Sequence, residues 1–348
     1  MKKRIISLAA AAVFVIGTLA GCGNSSTQTT DTTASSDASS SSGDLVTVRD
    51  AVMTGQLDQY ATEIGLWQGI FEKYGIDLQT TEFVAGINTI DAVVNGAADI
   101  GMMADYAAVN RLGNTLDATN LQIFSQISGG QSALSGGLYV DPKYADDPKS
   151  LDGSAGFMYQ EGTVTYYYAS KCIEYLGLDE SKQNLINTDS SQTRLALIQK
   201  GGASAVYANG SEAKYIEEAG WVQVATSQEI GIQTGSYFLS TDKYISENTD
   251  TLAKFLQAVD ESTQYINDHL DESAEYLADK LGLKAEDFKE NWKNYSFEPG
   301  FSEEATAHLE DIEKWGFEHG SFPKDYNVRD FINTDVAKIA FPDNVNIE

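Results

Sequence analysis

The chain has 348 residues, about two domains' worth, with 51 acidic against 23 basic side chains and a net charge of −28. So acidic a chain is unsuited to holding a nucleic-acid backbone, while 42% hydrophobic and 10% aromatic residues can bury a core, which excludes global disorder. Two cysteines and three widely spaced histidines exclude a disulfide framework and argue against metal or triad chemistry.

The N-terminus has the pattern of a secretion signal. Residues 2–4 are Lys, Lys and Arg, and residues 5–20 are almost all apolar. That run is short for a membrane span of about 20 residues but suits the apolar part of a signal peptide. It ends in Leu19-Ala20-Gly21-Cys22, which resembles the bacterial lipobox. We expect residues 1–21 to be a lipoprotein signal peptide and Cys22 to carry the lipid.

Residues 22–43 are predicted to form a tether. After Cys22 the segment is mostly Ser and Thr, with no apolar residue larger than Ala. Such a segment cannot offset its ordering entropy by burial, and about 20 flexible residues reach on the order of 25 Å. Because no second long apolar run follows, we expect a folded body anchored to the outer face of the cell membrane by lipid alone.

From residue 45 onward, short apolar runs alternate with helical periods, a pattern typical of α/β proteins. The pattern predicts, in chain order, a strand at 45–48, a helix over 64–74 ending at Gly75, a strand at 76–78, a helix around 90–94, and strands at 99–103 and 121–124. Residues 248–320 are strongly helical and are expected to wrap the first lobe rather than form a third domain.

Two stretches of the chain resemble each other. Residues 89–100 can be laid on residues 193–206, each reading as a helix, a Gly stop and a strand of small residues. Chance similarity of two ordinary αβ units is the alternative. If the likeness is real, two similar lobes follow, the first from 44–134 and 236–348, the second from 135–235. The chain would then cross near Ser135 and Gly235 and leave a hinged cleft.

Several motifs together resemble one known family. They are GLWQGIFEKYGIDL at 65–78, NGAADIG at 95–101 and SLDG at 150–153, the last without the basic residues that the family usually has there. The chain is similar to the nitrate, sulfonate, taurine and thiamine-precursor type of substrate-binding protein for ABC importers. The resemblance implies a type II periplasmic-binding-protein fold, closure over one small molecule, and a membrane permease and ATPase as partners. We expect no cofactor and a monomer.

Ligands of open α/β sheets collect at the carboxyl ends of strands, beside helix N-termini. Applied to the predicted elements, this rule selects eighteen candidate ligand-binding residues: Thr54, Gln56, Asp58, Gln59, Tyr60, Gly86, Asn88, Thr89, Asp105, Tyr106, Ser128, Gln131, Glu161, Gly162, Thr163, Tyr166, Tyr207 and Asn209.

Some candidates have an ordinary structural alternative. Asn88, Asp105 and Thr163 suit plain helix N-caps equally well, each worth roughly 1 kcal/mol. Of the three consecutive tyrosines 166–168, one or two must pack inside. Cys172 is expected to be a buried apolar filler, and Arg194 a surface residue rather than an anion clamp.

The acidic candidates restrict the charge that the ligand can carry. Asp58, Asp105 and Glu161 lie near predicted helix starts, where a buried carboxylate needs a partner. A purely anionic ligand such as nitrate is therefore disfavoured. A zwitterion such as taurine remains open, as does an aminopyrimidine stacked on Tyr60 or Tyr207.

The sequence favours a non-catalytic solute-binding lipoprotein. A ligand-sensing surface lipoprotein is the first alternative. A biosynthetic enzyme on the same fold is the second, and against it no Ser or Cys nucleophile has a His placed by any motif.

Overall fold

The computed structural model describes residues 45–116, 120–130, 136–151, 153 and 156–347. The predicted signal peptide, Cys22, the whole tether and the candidate Gln131 lie outside the described residues, so those predictions stand as made. Among the described helices, none combines the length and apolar character needed to cross a membrane.

Within the described residues, ten strands form two five-stranded sheets. In chain order the strands are β1 (Val46–Met53), β2 (Ile76–Phe83), β3 (Ile100–Ala104), β4 (Leu121–Gly130), β5 (Gly136–Val140), β6 (Gly156–Tyr159), β7 (Asn184–Asn187), β8 (Ala205–Asn209), β9 (Val222–Thr226) and β10 (Thr234–Thr241). The first sheet has the order β2-β1-β3-β10-β4 and the second β7-β6-β8-β5-β9. This arrangement confirms the predicted α/β class.

The helices lie in the connections between strands as far as β10, and the last five helices follow that strand. They are α1 (Leu57–Trp67), α2 (Ile70–Lys73), α3 (Gly86–Val94), α4 (Asp105–Thr115), α5 (Val164–Tyr175), α6 (Ser191–Gln199), α7 (Gly210–Glu218), α8 (Ser227–Ile230), α9 (Asp242–Asp268), α10 (Leu270–Leu281), α11 (Ala285–Trp292), α12 (Glu303–Glu318) and α13 (Asp335–Ala340). The helix predicted over 64–74 is in fact two helices, because Gly69 adopts a left-handed conformation (φ 68°) between α1 and α2.

The two sheets share one topology. Each has four parallel strands and one antiparallel strand, β10 in the first sheet and β5 in the second. In each sheet the antiparallel strand lies second from the edge, beside the third parallel strand. The two similar stretches occupy equivalent places, since α3–β3 and α6–β8 each lead into that third strand. The shared topology supports the likeness read from the sequence; the exact lobe boundaries remain a prediction.

Long helices cover the first sheet. The apolar face of α9, including Leu252, Phe255 and Val259, is buried, and Phe255 packs on Phe71 and Phe238 at ring-centroid distances of 5.7 and 5.0 Å. These rings join α9 to α2 and to β10. The carboxyl ends of the parallel strands are left for the loops that form the site.

The second sheet corrects one expectation and agrees with another. Arg194 was expected at the surface, but it is buried and donates from Nε and Nη2 to the Glu212 carboxylate at 2.6 and 2.9 Å. This pair joins α6 to α7, because a buried guanidinium requires a carboxylate partner. Cys172 is fully buried, as expected of an apolar filler, and burial raises the pKa of its thiol above the usual range.

Candidate functional site

The two sheets are linked by a pair of antiparallel strand ends, here called the crossover ribbon: residues 126–130 of β4 and 234–237 of β10. Within it Ser128 lies opposite Ser236, and their hydroxyl oxygens are 2.8 Å apart. Gly129 lies opposite Gly235, and a Cβ on Gly129 would come 2.9 Å from the Thr234 carbonyl oxygen. The glycines therefore let the two strands approach closely where the chain passes between sheets.

A cavity of about 730 Å³ lies against this ribbon and is called the main cavity. The first sheet contributes the start of α1, Ala104 and the ribbon, and the second sheet contributes Val164, Tyr168 and Asn209. Residues 282–296, around α11, form a further wall. The cavity thus takes walls from both sheets at the carboxyl ends of their strands, the place expected for a ligand in an open α/β fold.

Five of the eighteen candidates line the main cavity: Gln56, Asp58, Tyr60, Ser128 and Asn209. Glu161 and Gly162 line a separate open cavity of about 620 Å³ on the second sheet's side, where the Glu161 carboxylate accepts from the Asn187 amide at 3.1 Å. The remaining described candidates line neither cavity.

Asp58 is the buried acid of the main cavity, 7% exposed. Its Oδ2 accepts from the Ser236 hydroxyl at 2.5 Å, whereas Oδ1 has no hydrogen-bond partner among the described residues. Burial raises the pKa of Asp58, and the hydroxyls of Ser236, Ser128 and Tyr295 partly oppose that rise. In turn, burial and the neighbouring Asp58 carboxylate hold the pKa of Tyr295 above its usual value.

Asp105 is also buried, but it does not line the main cavity. Its Oδ2 accepts from the Gly235 backbone N–H at 2.9 Å and lies 2.7 Å from His308 Nε2. Its Oδ1 accepts from the Tyr106 N–H at 2.6 Å. These contacts tie the start of α4 to the ribbon and to α12. Asp105 therefore has a structural position, but it is the first residue of α4 rather than its N-cap, which is Ala104.

Candidates around β2, α1 and α3 are used in packing. The Gln59 side chain accepts from the Gly55 N–H and donates to Glu82. The Thr89 hydroxyl lies 2.8 Å from the carbonyl oxygens of Gly86 and Met102.

Close packing explains Gly86, because a Cβ there would come within 3.2 Å of the Met53 sulfur and of the Met103 Cβ. The Thr54 N–H donates to Phe83, and Asn88 is half-buried away from the cavity.

The aromatic and hydroxyl candidates of the second sheet also serve structure. Thr163 is the N-cap of α5 and accepts from the Thr165 N–H. Tyr166 packs between Tyr159 and Trp315, at centroid distances of 4.5 and 5.0 Å.

Two further tyrosines pack in the interior. Tyr106 packs on Trp315. Tyr207 packs on Tyr168 at 4.6 Å, and its hydroxyl lies 3.0 Å from that of Ser227.

Sequence reasoning missed two parts of the main cavity. The cavity tyrosine of α5 is Tyr168, not Tyr166. The segment 282–296 was read only as helix, yet it brings Phe288 and Tyr295 to the wall. Tyr295 stacks on Trp292 at 4.3 Å, and Phe288 meets Tyr60 edge-on at 5.5 Å. The aromatic residues Trp292 and Tyr295 within the otherwise polar segment 291–296 were the available signal.

The main cavity is not built for a bare anion. No Arg occurs among its described lining residues, and its single Lys, Lys284, lies 3.9 Å from Asp287 on the exposed rim. Positive potential comes instead from helix starts, since neither Gln56 of α1 nor Asn209 of α7 caps its helix with a side-chain hydrogen bond. The cavity therefore combines uncapped helix starts with a buried acid and aromatic walls.

A comparison with models of protein families finds a match. A family model described as NMT1/THI5 like matches residues 64–273, more than half of the chain. A comparison with curated proteins finds no match.

Solved structures show the same fold at low sequence identity. The periplasmic aliphatic sulphonate-binding protein SsuA from Escherichia coli is 17% identical, with a TM-score of 0.70 over 85% of this chain and 99% of that one. The periplasmic nitrate-binding protein NrtA from Synechocystis is 15% identical, with a TM-score of 0.59 over 85% and 89%. A Candida albicans protein described as having the generic periplasmic-binding-protein fold is 17% identical, with a TM-score of 0.58 over 87% and 96%. These likenesses confirm the predicted periplasmic-binding-protein fold.

Proposed function

The chain belongs to the NMT1/THI5-like family, and from that we propose that it is the extracytoplasmic solute-binding component of an ABC importer. The observation that carries the proposal is the main cavity, with walls from both sheets and the crossover ribbon along one side. A molecule held there touches both lobes, so it favours closure by its differential affinity for the closed state. The closed, loaded protein would then deliver the solute to a membrane permease driven by its ATPase. No catalytic step is assigned.

The chemistry of the cavity supports a small organic solute with an N–H donor or amino group. Asp58 supplies a buried carboxylate with one oxygen unpartnered among the described residues, and a buried charge requires a partner. A taurine-like zwitterion would place its sulfonate at the starts of α1 and α7 and its ammonium toward Asp58. An aminopyrimidine would direct its amino group to the same carboxylate and stack on Tyr60 or Tyr168. Both classes fit this proposal.

We further propose that the protein is a lipoprotein held to the outer face of the cell membrane through Cys22 and acts as a monomer. The support is the lipobox-like sequence and the Ser/Thr-rich tether. A diacyl group together with N-acylation would supply the several chains that stable anchoring needs. Labelling with a radioactive fatty acid tests this: the wild type should be labelled and Cys22→Ser should not. Equal labelling of the two proteins would contradict it.

Binding is tested by a thermal-shift screen of taurine, alkanesulfonates, nitrate and aminopyrimidines, followed by calorimetry on the best ligand. Asp58→Asn should weaken binding roughly 30-fold to several-thousand-fold, because the ligand's donor loses its charged partner at about 2–5 kcal/mol. Glu161→Gln is the control, because Glu161 is an acid that lines the separate open cavity, and this variant should bind almost normally. If nitrate binds best and Asp58→Asn binds it as the wild type does, the proposed ligand chemistry is wrong.

Closure is tested by small-angle scattering with and without that ligand. The radius of gyration should fall on saturation, because the two lobes move together around the ribbon. An unchanged curve at saturation would argue against a hinged importer component, even with binding intact.

A further inference from the structure

A second cavity lies against the same ribbon, and nothing in the proposed function uses it. This small cavity has a volume of about 200 Å³. Its inner wall is formed by Gln126, Tyr237 and His308, and its rim includes Glu298 and Glu304. Gly129 and Thr234 line both cavities, so the ribbon separates the two.

Strand geometry explains why one ribbon serves two cavities. Successive side chains of a strand point to opposite faces, and accordingly Ser236 lines the main cavity while Tyr237 lines the small one. Between these positions the pairing register shifts, so that Ser236 lies opposite Ser128 but Tyr237 lies opposite Gln126. This bulge re-aims the side chains of β4, which is a usual effect of β-bulges. A serine pair thus faces the main cavity, and a Tyr–Gln pair faces the small one.

The inner wall carries buried polar groups that lack partners. Tyr237 is 1% exposed and Gln126 6% exposed, yet neither the Tyr237 hydroxyl nor the Gln126 amide has a hydrogen bond within the described part of the chain. His308 bonds Asp105 through Nε2, which leaves Nδ1 without a described partner. Buried polar groups are almost always hydrogen-bonded in native proteins. These atoms keep some contact with the cavity, so their free hydrogen-bonding positions are directed toward whatever fills it.

The charge of the small cavity selects the kind of occupant. Glu298 and Glu304 carry two negative charges on its rim, and no Lys or Arg is among its described lining residues. The hydroxyls of Tyr237 and Ser302 and the amide oxygens of Gln126 and Gln233 add further acceptors. Among the described residues no group of three or more His, Cys, Asp or Glu is placed to hold a metal ion. The walls thus suit a positive charge that donates hydrogen bonds.

We propose that the small cavity is a second binding site, which takes a small N–H-donating cation, ammonium or a primary alkylammonium, on the face of the ribbon opposite the main cavity. At about 30 Å³ for each water-sized group, the volume admits on the order of six heavy atoms. This proposal does not depend on the identity of the transported solute. It makes the ribbon a wall shared by two ligands.

The test uses the complete folded protein and two matched substitutions. Melting temperature and calorimetry are measured with ammonium chloride and methylammonium chloride, against sodium chloride and tetramethylammonium chloride at equal ionic strength. Tyr237→Phe removes one hydroxyl from the small cavity, and Tyr295→Phe removes one from the main cavity; both keep the ring and its packing. We expect saturable binding of ammonium and methylammonium only, about tenfold weaker in Tyr237→Phe and unchanged in Tyr295→Phe.

Each other result overturns the proposal. Equal responses to all four salts would mean that the small cavity holds water alone. Weaker binding in Tyr295→Phe, with Tyr237→Phe unaffected, would place the cation in the main cavity. Binding that neither substitution changes would place it elsewhere on the acidic surface. None of these results bears on whether an organic solute binds the main cavity.

Discussion

The β1–α1 connection and the β3–α4 connection are built alike and used differently. Each leads from a parallel strand of the first sheet into a helix, and each has a buried aspartate at the helix start, Asp58 in one and Asp105 in the other. Both oxygens of Asp105 are taken by protein groups, whereas Asp58 keeps one oxygen unpartnered among the described residues. Position on the sheet brings an acid to the ribbon, and its neighbours decide whether it holds the fold together or is free for a ligand.

The largest loss of unfolding free energy is expected when the Asp105 contacts of the β3–α4 connection are removed. Asp105→Ala leaves the His308 imidazole and the Gly235 N–H buried without their partner, which should cost about 3–5 kcal/mol of unfolding free energy. Glu247→Ala is the control, because Glu247 pairs with Lys243 at the surface and such pairs contribute about 1 kcal/mol or less. Urea denaturation measures both. A similar small loss for the two variants would show that the Asp105 contacts do not hold the fold.

A second buried acid next to the β1–α1 connection, Asp50, should make the stability of the protein depend on pH. Asp50 of β1 is 1% exposed, both its oxygens lack partners among the described residues, and burial raises its pKa to about 8. Between about pH 4 and pH 8 the folded state therefore keeps a proton that the unfolded state has lost. Unfolding free energy should fall as pH rises, by about 2.7 kcal/mol from pH 5 to pH 7.

Asp50→Asn removes that titration, so the unfolding free energy of the variant should change less with pH than that of the wild type. The measurement is denaturation of wild type and variant at several pH values, with the variant gaining relative stability as pH rises. The comparison between the two proteins cancels the general repulsion of so acidic a chain. Parallel curves would mean that Asp50 is not buried in its neutral form.

The smallest change in unfolding free energy is expected from substituting Asp58 itself. Because burial raises the pKa of Asp58, Asp58→Asn should slightly stabilise the unliganded protein at pH 8, while weakening ligand binding. Thermal denaturation without ligand provides the test. A clear loss of stability instead would place Asp58 in the same structural class as Asp105.

Much of the fold was predictable because its signals are local. The short apolar run of β1, the Gly75 stop after α2 and the helix–strand repeat all depend on neighbouring residues, and the structure has them close to where the sequence placed them. The strand-end rule found Asp58, Tyr60 and Asn209 for the same reason. It also selected Asp105, because partners such as His308 lie 203 residues away and leave no mark on the local pattern.

The sequence did not predict which residues from the later helices and from the ribbon would line the cavities. Phe288 and Tyr295 reach the main cavity only because α10 and α11 fold back over the start of α1. The small cavity depends on a register shift of one residue in β4, and no composition or spacing signals a bulge there. Helical periodicity predicted these helices but not which side of the molecule they would face.

The stacked pair of Trp292 and Tyr295 gives the main cavity an optical reporter. The indole is buried, its Nε1 donates to Asn267 at 2.8 Å, and the ring it stacks on lines the cavity wall. Indole emission depends on local polarity and on quenching by adjacent groups, so a solute that moves the phenol ring changes the light from Trp292. The protein has four tryptophans, and with the other three replaced by Phe, occupancy could be followed in real time without any attached dye.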